Sequence, residues 1–152
     1  MLEKMKMIWQ DAKQLKDERG LTLVELLVVV VILGIIAAIA VVAIGGIIEN
    51  SRKDAMVADA KQMVSAAKIH TTSNPGDDTL VFTTGGNGLE YVEGLKDPFG
   101  DGGYGTAQVV IDETSGKYTY TVQLIGASKA IGEEEPLAEA SVNRDAVSDL
   151  AD

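Results

Sequence analysis

The chain has 152 residues and a mass of 16.0 kDa, enough for one domain of ordinary size. It carries 23 acidic against 13 basic residues, a formal net charge of -10, which excludes direct nucleic-acid binding through bulk charge. The absence of cysteine excludes disulfides, thiolate metal sites and cysteine nucleophiles, and the single histidine, His70, is the one candidate for a histidine-centred triad.

Residues 1–20 are polar and mixed in charge. Leu2, Met5, Ile8 or Trp9, Ala12 and Leu15 nevertheless recur at helical spacing. The simpler reading is a leader lost on processing; the alternative is a helix that lies on the inner membrane surface before cleavage. Trp9 is the chain's one tryptophan, so a chain shortened past residue 20 contains none.

From Leu26 to Ile48 the sequence has no charged and no polar side chain. About 20 such residues cross the hydrocarbon of a bilayer as a helix. Lys4, Lys6, Lys13, Lys16 and Arg19 precede the run, while Arg52, Lys53 and Lys61 follow it. This excess places the N-terminus in the cytoplasm and predicts an outward-facing acidic domain. A secretory signal peptide cut after Ala38-Ile39-Ala40 is the competing reading. The apolar run is too long for it, and Glu25 stands at the start of that run. A carboxylate in a membrane helix costs up to about 3 kcal/mol, less near the end. Glu25 is therefore either solvated at the headgroups or a functional residue whose burial needs a cation.

The string Glu18-Arg19-Gly20-Leu21-Thr22-Leu23-Val24-Glu25-Leu26-Leu27, with the apolar run behind it, resembles the type IV pilin superfamily. That superfamily includes type II secretion and competence pseudopilins. The matching residues are Gly20, Thr22, Leu23, Glu25 and Gly34, within a resemblance that covers about residues 16–72. Two positions depart from the family pattern. Leu21 replaces the usual phenylalanine, and Val42 stands where many members have a kinking proline. Gly45-Gly46 is the nearby candidate for a bend.

The resemblance implies an α+β, pilin-like fold: a long N-terminal helix, transmembrane in its first half, packed on a small antiparallel sheet. It implies that a prepilin peptidase removes the leader, residues 1–20, by cutting between Gly20 and Leu21, and that the Leu21 amine is N-methylated. Glu25 of one subunit would pair with the Leu21 amine of a neighbour, with Thr22 in the same assembly segment. The implied partners are the membrane, further copies in a helical homopolymer, and an assembly platform with its ATPase. The implied location is the cytoplasmic membrane, single-pass with the N-terminus inside, and then an extracellular filament. The role is structural and not enzymatic. Two rivals remain: a type II secretion or competence pseudopilin of a short filament, and a single-pass anchored binding domain that never polymerises.

Beyond the span and assembly segment, residues 21–48, the helical pattern continues through an amphipathic half, residues 49–75. Met56, Ala60, Met63, Val64 and Ala67 mark its apolar face. Asn74-Pro75-Gly76 is the stop signal. A helix over residues 21–72 would be roughly 78 Å long at the standard rise.

Residues 76–131 predict a small, loop-rich β domain, since more than half of the 16 glycines fall between Gly76 and Gly105. Residues 80–84 and 89–92 read as short strand or packing segments. Residues 107–112 and 117–125 read as a hairpin across Glu113-Thr114-Ser115-Gly116. Its second strand places Tyr118, Tyr120, Val122 and Leu124 on one face, expected to pack on helix residues 52–70. Two readings stand for Asp97-Pro98-Phe99-Gly100-Asp101. One is a calcium site using Asp97 and Asp101, in line with a resemblance to the Asp-Pro-Trp-Gly stretch of major secretion pseudopilins. The other is a Pro-Gly turn anchored by Phe99 and Tyr104, without cofactor. His70 reads as a solvated helix residue, and Gly85-Gly86-Asn87-Gly88 as a turn. Residues 132–152, with Glu133-Glu134-Glu135-Pro136, read as a weakly ordered acidic tail.

Overall fold

A computed structural model describes residues 1–151, with the side chains of residues 15–21 outside the description. One α-helix, α1, covers Leu2–Ser73 and runs through Gly45-Gly46 without a break in its assignment. The chain divides into two compact units, Met1–Gly46 and Ile47–Asp152, so the boundary falls beside that glycine pair. The first unit is helical from Leu2 onward.

The second unit joins the last part of α1 to a six-stranded antiparallel sheet. The strands are β1 (Asp78–Val81), β2 (Thr106–Thr114), β3 (Lys117–Ile125), β4 (Lys129–Ile131), β5 (Leu137–Ala138) and β6 (Val147–Asp149). Their order is β1-β2-β3-β4-β6, with β5 also paired to β3. A long apolar helix followed by a small antiparallel sheet is the α+β, pilin-like fold expected from the sequence.

Helix α1 ends where the sequence turns from helix formers to Asn74-Pro75-Gly76. Asn74 donates its backbone N–H to the His70 carbonyl at 2.8 Å, and Gly76 adopts a φ of 128°, a value that favours glycine. The β2–β3 hairpin closes through Ser115 (φ 54°) and Gly116 (φ 80°), the paired left-handed residues of a tight two-residue turn. It is longer than its sequence pattern predicts, because pairing extends to Thr114 opposite Lys117.

The core lies between one helix face and one sheet face. Met56, Ala60, Met63, Val64 and Ala67 meet Leu80, Val109, Ile111, Val122, Leu124 and Ile131. The pairs Leu80–Val109, Val109–Val122 and Leu124–Ile131 stand opposite each other in the register, so the period-two apolar pattern builds one continuous surface. Each aliphatic side chain buried there stabilises by about 1.5–3 kcal/mol.

Two expectations are corrected. Of the two readings for residues 89–92, packing holds and the strand does not: Asn87–Glu90 is a 3-10 turn, and Tyr91 and Val92 pack on the core. The acidic C-terminal segment is not a loose tail. Residues 132–151 return to the sheet through β5 and β6 and insert Val142 and Val147 into the core. Ion pairs also fasten it. Arg144 donates two hydrogen bonds to the carboxylate of Asp54, Lys68 pairs with Glu139, and Lys129 bridges Glu49 and Asp149. Composition alone pointed to disorder, but two buried valines and three cross-links to α1 outweigh the charge of the Glu133–Glu135 run.

The outer edge of β1 is closed by a side chain. Asn87 accepts from the Val81 backbone N–H at 2.9 Å and donates to the Thr79 carbonyl at 3.3 Å. Its amide thus occupies the hydrogen-bonding groups that an added strand would use. Asn87→Ala is expected to leave the fold intact, to cost about 1 kcal/mol in stability, and to raise self-association through the opened edge. Light scattering of wild type and variant at matched concentration checks this.

Candidate assembly and processing segment

Glu25 and Thr22 stand on α1 one turn apart, on the same side of the helix. Both are exposed. Among the described residues, no ion pair involves Glu25. Behind it, every residue from Leu26 to Ile48 is exposed except Ala40, which is partly covered. Leu33 is 58% exposed and Val42 79%. Nothing within 4 Å would meet a Cβ at Gly34, Gly45 or Gly46. Among the described residues, this is one helix long and apolar enough to cross a membrane.

Apolar area on this scale does not stay in water. Lipid or other protein must cover it. Covered by lipid, the Glu25 carboxylate can stay solvated at the headgroups; covered by other helices, it is taken from water and needs a cation or a proton.

Residues 15–41 carry the prokaryotic N-terminal methylation motif. It is the prepilin-type motif of type IV pilins and pseudopilins. Together with the apolar helix, the methylation motif supports membrane anchoring and a pilin-like or pseudopilin subunit, a structural family. It also implies processing by a prepilin peptidase in a pilus-assembly context. No curated protein and no solved structure matches the chain. The motif spans Glu25, Thr22 and the junction Gly20–Leu21. That junction lies among residues 15–21, outside the described side chains.

The other predicted site residues are dispersed over the second unit. Asp97 is buried, at 4% exposure, while Asp101 is exposed. One Asp97 oxygen accepts the Phe99 backbone N–H at 2.9 Å, and the other accepts that of Ala127. Gly126 and Gly100 lie against this carboxylate, where a Cβ would collide with it. Asp97 thus ties the Pro98-Phe99-Gly100 turn to the loop after β3. This geometry gives Asp97 a part in holding the turn, whether or not a cation also meets its carboxylate. Among the described residues, no three His, Asp or Glu side chains are grouped to hold a metal ion.

His70 is not solvated as its helix position predicts. Its side chain is 13% exposed; Nε2 donates to Asp78 Oδ2 at 2.8 Å, and Nδ1 lies 3.1 Å from the Tyr91 hydroxyl. The ring joins the end of α1 to β1 and to the 3-10 turn. The arrangement serves as a structural bridge.

A second polar tie escaped the sequence reading. Tyr104 donates to Asp59 Oδ2 at 2.7 Å, from the glycine-rich loop to α1. Burial raises the Asp59 pKa, and the Tyr104 bond partly opposes that rise. Burial and the neighbouring Asp59 charge push the Tyr104 pKa up. An acid whose folded pKa is raised favours the folded state below its unfolded pKa and loses that contribution as pH rises through the folded pKa. Tyr104→Phe removes the opposing bond and leaves a half-buried carboxylate unpaired. It is expected to cost about 1 kcal/mol at pH 7, and less near pH 4 as Asp59 takes up a proton. Urea unfolding at both pH values checks this.

Proposed function

We propose that the chain is a prepilin, the precursor of a structural subunit of a type IV pilus-like filament. A prepilin peptidase cuts between Gly20 and Leu21 at the cytoplasmic face, and the new Leu21 amine is N-methylated. The shortened chain then leaves the cytoplasmic membrane through an assembly platform and its ATPase. It polymerises through residues 21–48 into a filament at the cell surface. The observation that carries this reading is a helix with its apolar residues exposed from Leu26 to Ile48 and, at its head inside the methylation motif, a carboxylate, Glu25, that makes no ion pair among the described residues. In a bundle of such helices, the Leu21 amine of a neighbour supplies the missing cation. Small residues at Gly34, Ala37, Ala38 and Ala40 allow close helix approach. The Glu25–amine pair sets axial register more than it adds stability.

A secretion pseudopilin is the second reading, favoured by Asp97-Pro98-Phe99-Gly100 and its buried aspartate. Both readings share processing and polymerisation. The test is the intact mass and first residue of the protein in filaments sheared from cells. The expected product begins with N-methylated Leu21 and lacks Trp9. A membrane-bound chain still beginning at Met1 would overturn the proposal and leave an anchored domain. A start after Ala40 would mark a signal peptide.

A further inference from the structure

Residues 1–14 present a surface that cleavage alone does not require. They are helical from Leu2. Leu2, Met5, Ile8 and Trp9 are all strongly exposed, and helical geometry stacks them with Ala12 on successive turns of one face. Lys6 and Lys13, two turns apart, border this face on one side, while Lys4 and Asp11, also two turns apart, lie beyond it on the other. The Lys13 ammonium lies 5.4 Å from the centre of the Trp9 ring. Leu2, Met5, Trp9 and the two lysines together line a shallow depression. Glu3 and Gln14 fall on the opposite face.

We propose that this face docks on the anionic cytoplasmic leaflet of the membrane. The charge pattern selects that partner. Lys6 and Lys13 form a basic border along the apolar face, where their stems can lie along it while the ammonium groups reach lipid phosphates; Asp11 offsets Lys4 on the other border, and Glu3 points away. Tryptophan at such a border is at home in the headgroup layer. The span begins in the same unit, so docking needs no second membrane encounter. It asks the helix to change direction before the span, and Gly20 is the poorest helix former between the two segments. Docked in this way, the leader holds the Gly20–Leu21 bond at the membrane surface before cleavage. The inference rests on the cytoplasmic orientation proposed above, and not on polymerisation.

Trp9 is a built-in probe, because the chain has no other tryptophan. The full chain is reconstituted into phosphatidylcholine vesicles, with and without an equal part of phosphatidylglycerol. In the anionic vesicles Trp9 emission is expected to shift to the blue and to be quenched by brominated lipid. In neutral vesicles, and in a Lys6→Glu, Lys13→Glu double variant, both effects are expected to be lost. A Trp9 that iodide quenches equally in all samples would overturn the proposal. Burial that ignores lipid charge and the lysine changes would overturn it too, as would a Trp9 shielded only when the peptidase is added, which would identify a protein partner. Resistance of the chain to alkaline carbonate reads the span independently. A chain that carbonate strips from the vesicles would overturn the membrane span on which the orientation rests, whereas a resistant chain with an exposed Trp9 overturns the docking alone.

Discussion

Glu25→Ala is expected to abolish filaments while leaving the protein in the membrane. The carboxylate heads an apolar run whose side chains are exposed in the single chain, so assembly would bury it among neighbouring helices. Buried there, it must meet a cation, and the proposed Leu21 amine is that cation. Alanine removes the register-setting charge and leaves a buried amine without a partner, a change that costs several kcal/mol per subunit in an apolar setting. Insertion moves the other way, because the carboxylate costs up to about 3 kcal/mol in a bilayer and alanine does not. Sheared and membrane fractions of the same cells, probed with one antibody, separate the two effects. Filament yield is expected to fall below detection, with membrane yield equal or higher. Glu25→Gln keeps size and polarity but not charge, and the same loss is expected. Normal filaments from either variant would favour an anchored domain that does not polymerise through this pair.

The second large effect is expected at Asp97. Asp97→Ala leaves the backbone N–H groups of Phe99 and Ala127 without acceptors and opens a space beside Gly100 and Gly126. Two part-buried donors left without acceptors cost about 3 kcal/mol together. For a unit of this size that lowers Tm by roughly 10–20 °C. Near-UV circular dichroism of the tyrosines during heating checks this. Calcium is expected to leave Tm unchanged in wild type and variant alike, because among the described residues no group of three His, Asp or Glu side chains is placed to hold a cation. A wild-type Tm that rises with calcium and falls with chelator would restore the cation reading of Asp97 and Asp101.

Local rules made some of the molecule legible. The apolar run over 26–48, the helix stop at Asn74-Pro75-Gly76 and the Ser115-Gly116 hairpin all follow from short-range chemistry, and the structure has each of them. The core face of the helix was legible for the same reason, since Met56, Ala60, Met63, Val64 and Ala67 recur at the helix period.

The polar contacts were not legible. Asp97 reads as a possible calcium ligand in a glycine-rich loop, and only the return of Ala127 to its side shows that its carboxylate holds two backbone N–H groups. Asn87 reads as a turn residue, and only the placement of β1 shows that its amide closes a sheet edge. His70 reads as solvated until Asp78 and Tyr91 fold against it. Each partner is distant in sequence or reached through a change of chain direction, and side-chain hydrogen bonds leave no periodic trace.

The sequence by itself determined that this protein has an apolar helix headed by a glycine junction and a carboxylate. Hydrophobicity and charge act there residue by residue, and a motif of contiguous residues carries the chemistry. Only the tertiary structure decided the fate of the acidic C-terminal segment. Its charge is a property of composition, but its order comes from Val142 and Val147 in the core and from Arg144, Lys68 and Lys129 reaching partners across the fold. Burial and ion pairing depend on which residues meet, and that is settled only when the sheet closes on the helix.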